Sequence, residues 1–138
     1  MNPVEVPDWK SFLCAWWRAQ PEVEELFSDR VTSKLGQAKA FPLARVNRLA
    51  GGPVDGHQGW LHDPLFQIDV LSDDEDEATD AANVLMSTLQ ARIVNRHTVE
   101  GMTATVSSLS VGGVHEGWDP EATELARVRF SLRLYAHP

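Results

Sequence analysis

The sequence predicts an α+β fold, a two-layer sandwich. About four strands, mostly antiparallel or mixed, carry two helices on one face, in the order α-β-β-α-β-β. Three observations predict it. Residues 65–71, Leu-Phe-Gln-Ile-Asp-Val-Leu, put Phe66, Ile68 and Val70 on one strand face and Gln67 and Asp69 on the other. Ala78, Ala81, Ala82, Leu85, Leu89 and Ile93 then recur at helical spacing as one apolar stripe. Ala126, Val128, Phe130, Leu132 and Leu134 alternate with Arg127, Arg129, Ser131, Arg133 and Tyr135.

Residues 1–7 carry two prolines and read as an arm. Asp8 is a suitable N-cap for a helix over 9–19, with Trp9, Leu13 and Trp16 or Trp17 on one face. Pro21 stops that helix and starts a short second turn through Phe27. Val31 to Leu35 is a candidate brief strand. Residues 41–50 read as a strand, with Ala44 and Val46 facing one way and Arg45 and Asn47 the other. Residues 51–60 are too rich in glycine for regular structure and predict a long mobile loop.

After the strand at 65–71, Ser72 and Glu75 form a capping-box pattern. Asp73, Asp74, Glu75, Asp76 and Glu77 crowd the helix start, where the helix dipole favours carboxylates. The helix is expected to end near Asn95. A connection at 98–101 leads to a strand over 102–111. Gly112-Gly113 opens a turn-rich connection to Thr123, and the last strand covers 125–136. The open sheet face would carry Arg45, Gln67, Asp69, Arg127, Arg129 and Arg133, too much charge for a second core layer.

At 138 residues, 43% of them hydrophobic, the chain has the length and apolar content of a single packed domain over 1–138. No apolar run reaches the length of a membrane-spanning helix, so no membrane partner is expected. The first residues lack a signal-peptide pattern, which points to the cytoplasm. A single cysteine, Cys14, excludes an intrachain disulfide and any multi-cysteine zinc site, and it reads as a small core residue. A formal net charge of -8 argues against a sequence-independent grip on nucleic acid.

No Walker loop, dinucleotide fingerprint or nucleophile elbow is present. His57, His62 and Asp63 lie close in sequence, but their spacing fits no strong metal motif. The acidic run lacks the EF-hand pattern, and adjacent carboxylates on a helix point in different directions. No metal and no cofactor is expected. The arginines of the last strand admit a solvent face balanced by Asp69 or Gln67, an intersubunit face meeting carboxylates by bidentate pairing, or a phosphate-binding stripe. The overall charge disfavours the last.

Three stretches together resemble the tail terminator, or tail completion, proteins of long-tailed bacteriophages: Pro42 to Gly52, Asp63 to Leu89, and Arg127 to Tyr135. The resemblance rests on element order and local character over most of residues 8–136. It implies a structural virion protein without a catalytic role. Such a protein forms a ring, commonly a hexamer, that caps the tail tube and joins it to the head connector. The implied partners are further copies of the chain, the tail tube protein and the head-tail connector protein. DNA would pass the ring channel without specific binding, and an acidic chain suits that channel. The implied location is the head-proximal end of the tail, after assembly from the host cytoplasm.

The candidate interface residues are Arg45, Asp69, Arg127, Arg129 and Arg133 on the sheet face and Asp73, Asp74, Asp76 and Glu77 at the helix start. Gly51, Gly52, Asp55, His57 and Trp60 form a candidate partner loop. Three alternatives stay open: another connector or minor tail protein, a small metal-dependent hydrolase using His57, His62 and Asp63, and an adaptor domain reading a partner through the sheet face.

Overall fold

The computed structural model describes residues 8–32, 40–50, 61–120 and 124–138, without the side chain of Ala50. The expected 1–7 arm and 51–60 loop lie outside the described residues. The elements are α1 (Trp9–Arg18), α2 (Pro21–Phe27), β1 (Val31–Thr32), β2 (Leu43–Ala50) and β3 (Leu65–Ser72). There follow α3 (Glu75–Thr88) with a π-helical turn (Leu89–Ile93), β4 (Arg96–Val99), β5 (Met102–Trp118) and β6 (Ala126–His137). The strands form one sheet in the order β1-β2-β3-β6-β5-β4. β1 runs parallel to β2, and every other pair is antiparallel.

This corrects the expected fold. The sheet has six strands, not about four, and curls into a half-barrel. Three helices accompany it, not two. The extra strands are short edges, β1 with two residues and β4 with four. Segments that short give little or no alternation to read. The end of the third expected strand, Val111, is also corrected, because β5 runs on to Trp118. Gly112-Gly113 makes a bulge and not a turn. Gly113 takes φ 63°, and the pairing with β6 shifts between Gly112 and His115.

α1 forms because Asp8 caps it. The carboxylate accepts from the Ser11 backbone N–H at 3.2 Å and from its hydroxyl at 2.7 Å. Those bonds, the hydroxyl's first, hold the Asp8 carboxyl below the usual range. The helix buries Trp9, Phe12, Leu13, Cys14, Ala15, Trp16 and Trp17. Trp17 donates its indole N–H to the Leu85 carbonyl of α3 at 3.3 Å, so the two helices share a polar link inside an apolar layer. The α3 stripe of Ala78, Ala81, Ala82 and Leu85, continued by Leu89 and Ile93, is fully buried.

The cap of α3 differs from the expected one. Asp74, not Ser72, is the N-cap, accepting from the Asp76 N–H at 3.1 Å. Ser72 still belongs to β3, where it pairs with Ala126. Its hydroxyl accepts from the Asp74 N–H at 3.2 Å, one step upstream of the helix. Sheet pairing therefore holds Ser72 extended and moves the helix start on.

The helices cover the face made by Ala44, Val46, Phe66, Ile68, Val70, Val128, Phe130, Leu132 and Leu134, which belong with them to one buried cluster. The opposite face carries the charge.

Candidate functional site

Strand register builds the charged face. Arg45 on β2 pairs with Asp69 on β3, and Asp69 pairs with Arg129 on β6. Directly opposed residues share a face, so the three form a row across the central strands. Arg45 donates to Asp69 Oδ2 at 2.7 Å. Arg129 donates to Oδ1 at 2.6 Å through Nε and to Oδ2 at 3.2 Å through Nη2, a two-point fork. Asp119, from the connection between β5 and β6, lies 3.5 Å from the Arg45 guanidinium. Asp69 and Asp119 are both buried.

Burial pushes the Asp69 carboxyl up, but hydrogen bonds from Arg129 and Arg45 outweigh it and hold the group below the usual range. The same contact with Asp69 raises Arg129. The middle of this face is therefore a compensated ion cluster. Its end is apolar, because Leu43, Leu71 and Leu125 pack into a second small cluster with Phe41 against them. The sequence reading left the face open to solvent or a partner. The structure closes the centre with paired charge and one end with leucine.

Other predicted site residues fall elsewhere. Arg133 is half-exposed and donates to Asp63 at 3.0 Å. Arg127 lines a cavity of about 200 Å³ with Glu75, Thr79, Glu116 and Gly117, beside the start of α3. Asp73, Asp74 and Asp76 are exposed there, and Glu77 is half-buried. The structure therefore gathers Arg45, Asp69 and Arg129 and keeps them apart from the acidic helix start. Gly51, Gly52, Asp55, His57 and Trp60 lie outside the described residues.

His62 and Asp63 have structural partners. Trp9 donates its indole N–H to His62 Nδ1 at 3.1 Å, and the rings meet edge-to-face at 5.5 Å. An Nδ1 that accepts carries no proton, so a neutral ring holds its proton on Nε2. The His62 backbone forms an isolated bridge with Ala136, which fixes the residue beside β6. Among the described residues, no group of three or more His, Cys, Asp or Glu is placed to hold a metal ion. Cys14 is buried, and burial pushes its thiol up to about 11.

Sequence reasoning missed Asp119. It sits in a Trp-Asp-Pro turn with no periodic signal, and only the return of the chain to β2 makes it a counter-ion.

Fold and site together define an α+β domain whose central charges are matched within the chain. A family model for tail completion protein gp17 matches residues 12–136, and the chain belongs to that family. A solved chain from the "Virion of native gene transfer agent (GTA) particle" superposes at TM-score 0.68 and 13% identity, covering 94% of each chain. It shows that the fold is shared. A second solved chain superposes more loosely, at TM-score 0.43 and 12% identity, over 91% of this chain and 89% of its own. No curated protein matches the chain.

Proposed function

We propose that this tail completion protein acts as a tail terminator, a ring of identical copies that caps the tail tube and joins it to the head connector. Family membership over residues 12–136 carries the reading. A structural role in the virion tail follows from the family. The ring, its hexameric number, the head-proximal position and assembly from the host cytoplasm belong to the proposal.

Physical chemistry supports the reading in two ways. A ring for DNA passage must not hold the duplex, and a chain of net charge -8 repels it. Arg45 and Arg129, which could have gripped phosphate, are bound to Asp69. Of the other candidate charges, Arg127 and the exposed acids Asp73, Asp74 and Asp76 lie outside this row, and Arg133 pairs with Asp63. In this reading the protein assembles and does not catalyse.

The test is electron microscopy of the purified protein mixed with tail tubes lacking their terminator. Caps one ring thick at a single end of each tube are the expected result. Bare tubes, with the protein instead on isolated head connectors, would replace this reading with that of a connector component.

A further inference from the structure

We infer that successive copies join by β-sheet extension, the distal edge of β5 in one copy pairing with the outer edge of β2 in the next. This rests on the ring reading above and assigns its interface.

The sheet order makes β5 almost an edge strand. β4 covers only Met102 to Thr105, and one further bond joins the Val106 N–H to the Asn95 carbonyl at 2.9 Å. Beyond it, Ser107 to Trp118 have β6 on one side and no strand among the described residues on the other. Residues 112–118 are all exposed, with Val114 at 51% and Trp118 at 53%.

Long free edges are normally blunted by lysine, proline, inward charge or bulges, because they recruit other strands; this one carries two bulges and the helix-side Glu116 and no other such device. Residues 107–118 contain no lysine, arginine or proline, and Glu116 is their single carboxylate. Two bulges bend this edge without covering it. Unpaired N–H and C=O groups in a row accept an extended strand.

The chain offers such a strand at the other side of the sheet. Among the described residues, β1 pairs with Ala44 and Arg45 of β2 and with no later residue of that strand. From Val46 to Ala50, β2 has β3 as its strand partner among the described residues, and Leu49 is 55% exposed. The two edges flank one sheet, so joining them is head-to-tail. A heterologous contact of that kind generates rings when its rotation closes.

Side chains agree with the pairing. Glu116 and Trp118 oppose Val128 and Ala126, which puts them on the helix side. Arg48 opposes Phe66, which puts it on the same side. A sheet continued across two copies thus brings opposite charges, Glu116 and Arg48, to one face. Exposed Trp118 shares that face, and exposed Leu49 stands at the border, in the bulge where β2 shifts register between Arg48 and Ala50.

The test uses full-length chains and two readouts. The Val114→Lys/Trp118→Lys variant changes exposed side chains on one edge, and Leu49→Lys changes the other. Each is expected to keep the wild-type circular dichroism and to lower the fraction of capped tail tubes at least tenfold. Capping at the wild-type level by both variants overturns the interface and leaves the terminator reading standing. Variants that still form rings but lose tubes assign the edge to the tube protein and also overturn it.

The second readout mixes Leu49→Cys copies with Trp118→Cys copies and adds a short bis-maleimide, with wild-type copies alone as the control for the buried Cys14 thiol. A cross-linked dimer that needs both variants is expected, and its absence overturns the pairing. This arm works without tubes, so it judges the edges even if wild-type protein fails to cap.

Discussion

β6 separates two kinds of stability along one strand. Its helix-side residues, Ala126, Val128, Phe130, Leu132, Leu134 and Ala136, are all buried. Its other side presents Arg127, Arg129, Ser131, Arg133 and Tyr135, all partly exposed. On the first side, stability comes from apolar area and packing, so it falls in proportion to the volume removed. On the second, it depends on whether each charge keeps its counter-ion. The two faces should therefore fail differently, one by degree and one by partner.

The largest loss is expected on the helix side. Phe130 has no exposed surface and faces the helices from the middle of the sheet. Phe130→Ala should cost about 3–5 kcal/mol. Urea unfolding followed by tryptophan fluorescence measures it, and Phe130→Leu should recover most of the loss. Equal losses for the two variants would mean that packing volume does not set stability on this face.

Asp69→Ala comes next. It leaves Arg45 and Arg129 without their shared partner, at a cost of about 2–3 kcal/mol, the range for charged hydrogen bonds. Both arginines keep some solvent contact, which holds the loss below that of a sealed ion pair. A pH profile separates this from packing. The Asp69 carboxyl is depressed in the folded state. Its contribution is therefore complete above the unfolded value, near pH ~4, and is lost as pH falls through the folded value. The gap between wild type and Asp69→Asn should be constant from pH 7 to 5 and close below ~4. A gap unchanged down to pH 2.5 would show that the carboxylate charge is not what stabilises the row.

Trp9→Phe probes a polar bond inside the apolar layer. An aromatic ring remains, the donor to His62 is lost, and the smaller phenyl leaves part of the indole's buried space unfilled. About 1–2 kcal/mol should go, from the bond itself and the stranded acceptor. A histidine side-chain shift in the NMR spectrum should accompany the loss. Destabilisation without that shift would assign the effect to packing.

How much of this was legible follows from the same contrast. The alternation of β3 and β6 and the stripe of α3 could be read because every second or every third-to-fourth residue meets one core. Arg45, Asp69 and Arg129 could be placed on one face by parity. Their pairing could not, since register depends on which strands are neighbours. β6 returns to lie beside β3, and only that makes Arg129 oppose Asp69. Asp119 and the leucine cluster were hidden for the same reason. Gly112-Gly113 misled because a bulge and a turn use the same residues.

The smallest effect tests whether burial, and not ion pairing as such, makes the Asp69 row matter. Arg92, in the π-helical turn after α3, pairs with Glu22 of α2 at very close range. This too is an arginine–carboxylate pair, and it links the turn after α3 to α2. Both side chains stand in solvent, at 43% and 45% exposure, where water and salt screen the attraction. Arg92→Ala should leave the urea midpoint within error of wild type in 0.15 M salt, a condition close to physiological screening. Asp69→Ala, in the same buffer, should move it clearly. A midpoint shift for Arg92→Ala as large as that for Asp69→Ala would show that exposed pairs hold this fold as firmly as buried ones. The distinction between the charged row and the rest of the surface would then dissolve.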